Sequence, residues 1–183
     1  MIEQIDTKRL YLRKMKIEDA NNLFQIWSDP DVTKYMNIIN LTDIKQAQEM
    51  ITILDQLAKE QKGIRFSIIE KTSHKIIGSC GFNSFDDENN TAEIGYELAK
   101  AYWGKGFAQE SMAALIHYAF TALNIKKIEA KVEPANKNSI KVLEKLKFSY
   151  MGTLPETETS DDISIYALIM YSILIIFLLF FYC

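Results

Sequence analysis

Residues 91–133 constrain the fold more than any other part of this chain. "TAEIGYEL" (91–98) reads as a strand, and "KIEAKVE" (127–133) reads as another. Between them, "GFAQESMAALIHYAFTAL" (106–123) repeats its apolar residues at helical spacing, with Met112, Leu115, Ile116 and Ala119 on one face. Two strands joined by a helical crossover in one sheet are expected to run parallel, since the crossover restores the chain direction that a hairpin would reverse. Alternation puts Ala92, Ile94, Tyr96 and Leu98 on one side of the first strand. It puts Glu93 and Glu97 on the other, provided no bulge intervenes.

The other segments extend this α/β pattern. "RLYLRKM" (9–15) alternates as a strand, and "IEDANNLFQIWSD" (17–29) is a helix with Ala20, Leu23, Phe24 and Trp27 on one face and Pro30 after it. "LTDIKQAQEMITILDQLAKEQKG" (41–63) is a second helix, with Thr42 as N-cap and Gly63 as stop. "RFSIIEK" and "KIIGSCGFNSF", separated by "TSH", form a hairpin. "NSIKVLEKLKF" is a short helix, and "FSYMGTL" and "ISIYALIM" are the last strands. One domain is the expectation for 183 residues, and 48% hydrophobic content supplies its core.

A net charge of −3 gives no basic footprint for nucleic acid. Cys80 and Cys183 have neither disulfide nor metal-ligand spacing, which fits a reducing, cytoplasmic setting. Cys80 is expected in the core, His74 in a hairpin turn and His117 as a structural helix residue. "MIEQIDTKRL" lacks the apolar centre of a signal peptide.

The strand-to-helix link "YWGKGFAQES" holds Gly104 and Gly106 around Lys105. A helix N-terminus presents unpaired N–H groups and a positive dipole end. Glycines there let a phosphate reach the backbone, and Lys105 adds charge. The alternative is a tight turn with no ligand, around which Tyr102 and Phe107 pack.

Taken with "NKNSIKVLEKLKF" downstream and "TKRLYLRKM" and "SDPDVTKYM" upstream, "AEIGYELAKAYWGKGFAQES" resembles the GNAT N-acetyltransferases. Within them it looks most like the ribosomal-protein N-terminal (RimJ/RimL-like) branch. The resemblance covers residues 7 to 170 or so and leaves 171–183 as an atypical hydrophobic tail. It implies a mixed, mostly antiparallel sheet flanked by helices, with a splayed parallel strand pair. It also implies acetyl transfer from acetyl-CoA to a primary amine, a protein N-terminal α-amino group among the options, by direct attack in a ternary complex. The rival is a non-catalytic acyl-CoA-binding module.

The family's pyrophosphate motif falls on Trp103, Gly104, Lys105, Gly106, Phe107 and Ala108, with Trp103 departing from the usual Gln or Arg. The splayed strand implies main-chain contacts from Tyr96, Glu97 and Leu98 to the pantetheine arm. Glu93 stands where some members place a general base, and a solvated strand residue is the alternative. The Glu97 side chain is expected at the surface. The usual Tyr acid is replaced by Leu143. Ser139 implies a hydrogen bond to the departing sulfur, or else a helix cap. Asn136 implies a contact to the cofactor arm, or a cap. Lys147 replaces the Gly that normally precedes Phe148.

"ISIYALIMYSILIIFLLFFYC" is 21 uncharged residues, long enough for an anchor. The resemblance instead uses its first part as the final strand. An altered or subunit-packed end, with a homodimer, is therefore expected ahead of a membrane anchor. The acceptor is not readable, because the segments near 30–65 and 153–162 carry no decisive motif.

Overall fold

The computed structural model describes residues 2–36, 38–154 and 162–170. The tail 171–183 and most of the 153–162 segment lie outside the described residues. One sheet contains β1 (Gln4–Asp6), β2 (Leu10–Lys14), β3 (Ile64–Glu70), β4 (Ile76–Asp86), β5 (Thr91–Leu98), β6 (Lys127–Val132), β7 (Ser149–Leu154) and β8 (Ile163–Ile169). Their order is β1-β2-β3-β4-β5-β6-β8-β7. All neighbours are antiparallel except β5 and β6, which run parallel as the crossover requires. β8, the last strand among the described residues, is internal, paired to β6 on one side and β7 on the other.

Helices cover both faces. α4 (Phe107–Thr121) and α5 (Lys137–Lys145) pack on the face of Ala92, Ile94 and Leu98. The predicted stripe of α4 is buried: Met112, Leu115, Ile116 and Ala119. On the other face, α1 (Ala20–Trp27), the short α2 (Pro30–Thr33) and α3 (Ile44–Lys59) enclose a second cluster around Leu23, Trp27, Val32 and Ile51.

Two expectations about α3 are corrected. Its N-cap is Asp43 rather than Thr42: the Asp43 carboxylate accepts from Lys45 N, and the Gln46 side chain accepts from the N–H groups of Asp43 and Thr42. This is a capping box shifted by one residue. The helix stops at Lys59, not at Gly63. Gln61 turns left-handed (φ 57°), and the N–H groups of Gln61 and Lys62 bond back to Ala58 and Leu57. Gly63 serves a different need, since a Cβ there would lie 2.9 Å from the carbonyl oxygens of Phe82 and Asn83.

The end of α5 uses the same device. Lys147 N–H donates to Glu144 O and Phe148 N–H to Leu143 O, both at 3.0 Å, while Leu143 and Phe148 are both buried. Lys147 occupies the left-handed position (φ 67°) that a glycine would fill without strain. The expected turn therefore survives the substitution, at a cost of about 1–2 kcal/mol.

Candidate active site

The ladder between β5 and β6 joins Thr91 to Lys127, Ala92 to Ile128 and Glu93 to Glu129, and then stops. Beyond Glu93 the two parallel strands separate, so the β6-facing edge of residues 94–98 is open to a ligand. A cleft of about 670 Å³ passes through this opening. One half is lined by Tyr96, Met112, Asn136, Ser139 and Leu143, and the other by Trp27, Arg65, Asn83, Glu93 and Glu97. The opening thus connects the α5 side of the sheet to the α1–α3 side.

On the α5 side, the Tyr96 hydroxyl lies 3.2 Å from Ser139 Oγ. Burial pushes the Tyr96 phenol above its ordinary value, and the hydrogen bond to Ser139 draws it only partly back. Tyr96 is therefore protonated at neutral pH and able to donate. The sequence reading gave Tyr96 only main-chain contacts, so this hydroxyl is an addition. Asn136 is the N-cap of α5, and its Oδ1 accepts from Ser139 N at 3.1 Å. The cap alternative thus falls to Asn136 and not to Ser139, whose hydroxyl is turned to Tyr96. Leu143 is buried in the core beneath them.

On the opposite side, Glu93 accepts from Asn83 Nδ2 at 3.0 Å and pairs with Lys131 Nζ at 2.7 Å. Asn83 is the extra residue of a bulge in β4: Phe82 faces Ile94 and Ser84 faces Glu93, which leaves Asn83 between them. Bulges redirect a side chain, and this one sends Asn83 across β5. Gly95 leaves room for the crossing, because a Cβ there would lie 3.0 Å from Asn83 Nδ2 and press on the amide. The bulge is in β4, so the alternation of β5 is intact.

Glu97 corrects the sequence reading. Its side chain is buried, not at the surface: the residue is 5% exposed. Trp27 Nε1 donates to Glu97 Oε1 at 3.0 Å, and Ser79 and Arg65 also bond to the carboxylate. Arg65 Nη1 continues to Asn83 Oδ1 at 3.1 Å. A hydrogen-bonded string therefore runs along the cleft floor from Glu97 through Arg65 and Asn83 to Glu93. Sequence reasoning passed over Arg65 and Asn83. The local signal was the polar pair Asn83-Ser84 interrupting the apolar run "CGFNSF".

Gly104 (φ 71°) and Gly106 (φ 79°) are both left-handed, and Gly106 caps α4. A Cβ at Gly104 would meet nothing within 4 Å, so that side of the turn is open. Trp103 is partly exposed, and its indole N–H donates to Leu98 O at 2.7 Å. That bond ties the turn to the end of β5 and occupies the Leu98 carbonyl, one of the main-chain groups assigned to the cofactor. Phe107 is buried with its ring tilted against that of Tyr102, centroids 6.0 Å apart, which leaves its backbone N–H as its contribution to the turn. Lys105 Nζ sits 5.3 Å from the Tyr102 ring, and Ala108 is half-buried in the first turn of α4.

Arg9, from the β1–β2 connection, braces the turn. Its Nη1 donates to Lys105 O at 2.9 Å, and its guanidinium lies 4.3 Å over the Phe107 ring. Glu110, in the first turn of α4, accepts from Thr7 Oγ1, Arg9 N and Arg9 Nε at 2.6–2.7 Å. Burial raises the Glu110 carboxyl, but those hydrogen bonds and the Arg9 charge outweigh it and leave it below the usual range. Cys80 is buried, and loss of solvation pushes its thiol up to about 12, so it is an inert core residue.

An edge that can accept an added strand, ending at a turn that can hold phosphate, suits a long phosphorylated thioester carrier. The class defined by this fold and cleft is an acyltransferase. The Acetyltransferase (GNAT) domain family matches residues 9–149, and the chain belongs to it. An uncharacterized N-acetyltransferase p20 of Bacillus licheniformis is 54% identical over 157 residues, covering 86% of this chain and 88% of that protein. A ribosomal-protein-serine acetyltransferase of Escherichia coli (strain K12) is 28% identical over 125 residues, 66% of this chain and 70% of its own length. Among solved structures, a microcin C7 self-immunity acetyltransferase in complex with acetyl-CoA and AMP superposes with a TM-score of 0.81 at 25% identity. The match covers 90% of this chain and 94% of that one. The protein is an acetyl-CoA-dependent N-acetyltransferase, related to the ribosomal-protein acetyltransferases. Among the described residues, no helix is long and apolar enough to cross a membrane.

Proposed function

We propose that this protein transfers the acetyl group of acetyl-CoA to a primary amine by direct attack in a ternary complex in the cytoplasm. The supporting observation is the Tyr96–Ser139 hydroxyl pair on one side of the sheet opening, with Glu93 on the other. Residues 103–108 hold the pyrophosphate through backbone N–H groups, and the open edge of β5 takes the pantetheine arm. Asn136 fixes the first turn of α5 and so orients Ser139. Acetyl-CoA supplies an activated thioester.

The acceptor ammonium must first lose a proton, and Glu93 takes it, directly or through water, and passes it to solvent. The amine nitrogen then bonds to the carbonyl carbon as the carbon–sulfur bond breaks, and the electron pair leaves with sulfur. Ser139 donates a hydrogen bond to that sulfur, backed by the neutral Tyr96 hydroxyl. The second nitrogen proton balances the thiol that departs. A protein N-terminal α-amino group is one acceptor of this kind, in line with the ribosomal-protein relatives.

The test is thiol release from acetyl-CoA with a panel of amines. Ser139→Ala and Tyr96→Phe should each lower kcat by about 10²-fold, the low end for acid–base assistance, with acetyl-CoA affinity kept. Acetyl-CoA binding without thiol release from any amine would leave a non-catalytic acyl-CoA-binding module as the reading.

A further inference from the structure

The half of the cleft that faces α1–α3 has a composition unlike its floor. Tyr35, Met36 and Ile38, from the segment after α2, and Met50 and Leu54 on α3 line it, with Trp27 beneath. All of these but Trp27 are half-buried: Met36, Ile38, Met50 and Leu54 rest on the second core cluster with one side and leave the other side open to the cleft. Half-buried apolar side chains around a concave space gain by covering with another apolar surface. Methionines fit such a wall to ligands of irregular shape.

The cations along the floor are paired. Arg65 is bonded to Glu97 and Ser79, and Lys131 is bonded to Glu93. Among the described residues that line the cleft, the cations Arg65 and Lys131 each carry a carboxylate partner and Glu133 adds another carboxylate, so an anionic acceptor would have to break a pair. An ammonium group, by contrast, can add to the Glu93 carboxylate without breaking its contacts to Lys131 and Asn83, because each carboxylate oxygen accepts more than one hydrogen bond.

We infer that the acceptor is a primary amine whose substituent is apolar and uncharged, with the amine at Glu93 and the substituent against Met36, Ile38, Met50 and Leu54. This rests on the acetyl-transfer reading above and adds the acceptor's chemical class. The same chemistry occurs in a small amine and in a polypeptide that starts with a large apolar residue.

The experiment is thiol release by the full chain with saturating acetyl-CoA and an acceptor series. One arm compares glycinamide, serinamide, leucinamide, phenylalaninamide and glutamate. The other compares short peptides starting with Ser, Leu or Phe. The expected result is a rise in kcat/KM of about 10–100-fold from glycinamide to leucinamide or phenylalaninamide, as an apolar pocket discriminates. Turnover of the amides assigns a small amine, and turnover of the Leu or Phe peptides alone assigns a polypeptide N-terminus. Both support the inference.

Met50→Ala and the harsher Leu54→Asp should flatten the preference by raising KM for the apolar acceptors, with acetyl-CoA affinity unchanged by calorimetry. Met50→Ala keeps this comparison usable where Leu54→Asp fails to fold. Preference for serinamide, glutamate or the Ser peptide would overturn the inference while leaving acetyl transfer in place. Acetyl-CoA binding with no thiol release from any acceptor would instead remove the transfer reading, and this inference with it.

Discussion

Glu97→Gln isolates the contribution of the buried string under the cleft. The amide keeps the shape of the side chain and can still accept from Trp27 Nε1, but Arg65 loses its counter-charge. The Arg65 side chain is 11% exposed and that of Glu97 is 5% exposed, so solvent does little to compensate. Leaving one partner of a buried pair uncompensated costs about 3–5 kcal/mol. That is a large share of the roughly 5–15 kcal/mol that holds a domain folded. At about 2–4 °C per kcal/mol for a chain of this size, the melting temperature should fall by about 6–20 °C. Arg65→Met alone should also destabilise, whereas Arg65→Met with Glu97→Leu should regain most of the loss, since an apolar pair can replace a buried ion pair. Urea unfolding of the wild type, Arg65→Met, Glu97→Leu and the double variant closes the cycle, with Glu97→Gln measured beside it. A Glu97→Gln variant within about 1 kcal/mol of wild type, or a double variant whose loss is the sum of the singles, would refute the argument.

Three further outcomes are expected. Gly106→Asp places a carboxylate and a Cβ at a left-handed position 3.4 Å from Arg9 Nη2, and acetyl-CoA affinity should drop by about 10-fold or more; unchanged calorimetric affinity in a folded variant would remove the phosphate role of the turn. Lys147→Gly relieves the left-handed strain and should stabilise the fold by up to about 1 kcal/mol after the greater freedom of glycine in the unfolded chain is subtracted, read by urea unfolding. Glu110 is lowered in the folded state, so its stabilisation is complete above the ordinary carboxyl value of 4.5 and is lost as pH falls through the lower folded value. Glu110→Gln should therefore be less stable than wild type at pH 7, with the gap closing in acid; a gap that widens in acid would contradict the hydrogen-bond assignment.

The strands and helices were legible because apolar spacing is a local signal, and β5 runs over the residues that alternation gave it, Thr91–Leu98. Alternation also put Glu93 and Glu97 on one face correctly. It did not say that α1 and α3 cover that face at Glu97 while the sheet opening leaves Glu93 in the cleft. That difference depends on Trp27, 70 residues away in sequence, docking over the carboxylate. The bulge at Asn83 was not legible for a related reason, since it is a mismatch between two strands and neither strand carries it alone. β1 was missed because three residues, Gln4–Asp6, are too few to show a period.

The helix ends show how a physical competition is settled only in three dimensions. Asn136 and Ser139 can each cap a helix, and the sequence left a cap or a ligand contact open for both. Asn136 lies at the backbone conformation just before α5 and bonds the Ser139 N–H, so one residue meets the helix's need for an acceptor. Ser139 then has no capping duty, and its hydroxyl turns to Tyr96 at the sheet opening. Restraint at the other end of the helix comes from Lys147, held left-handed by two backbone bonds and by the burial of Leu143 against the same core as Phe148. Leu143, buried against that core, anchors the helix that presents Ser139. The phenol beside Ser139 belongs to Tyr96 of β5, on the strand whose separation from β6 opens the cleft.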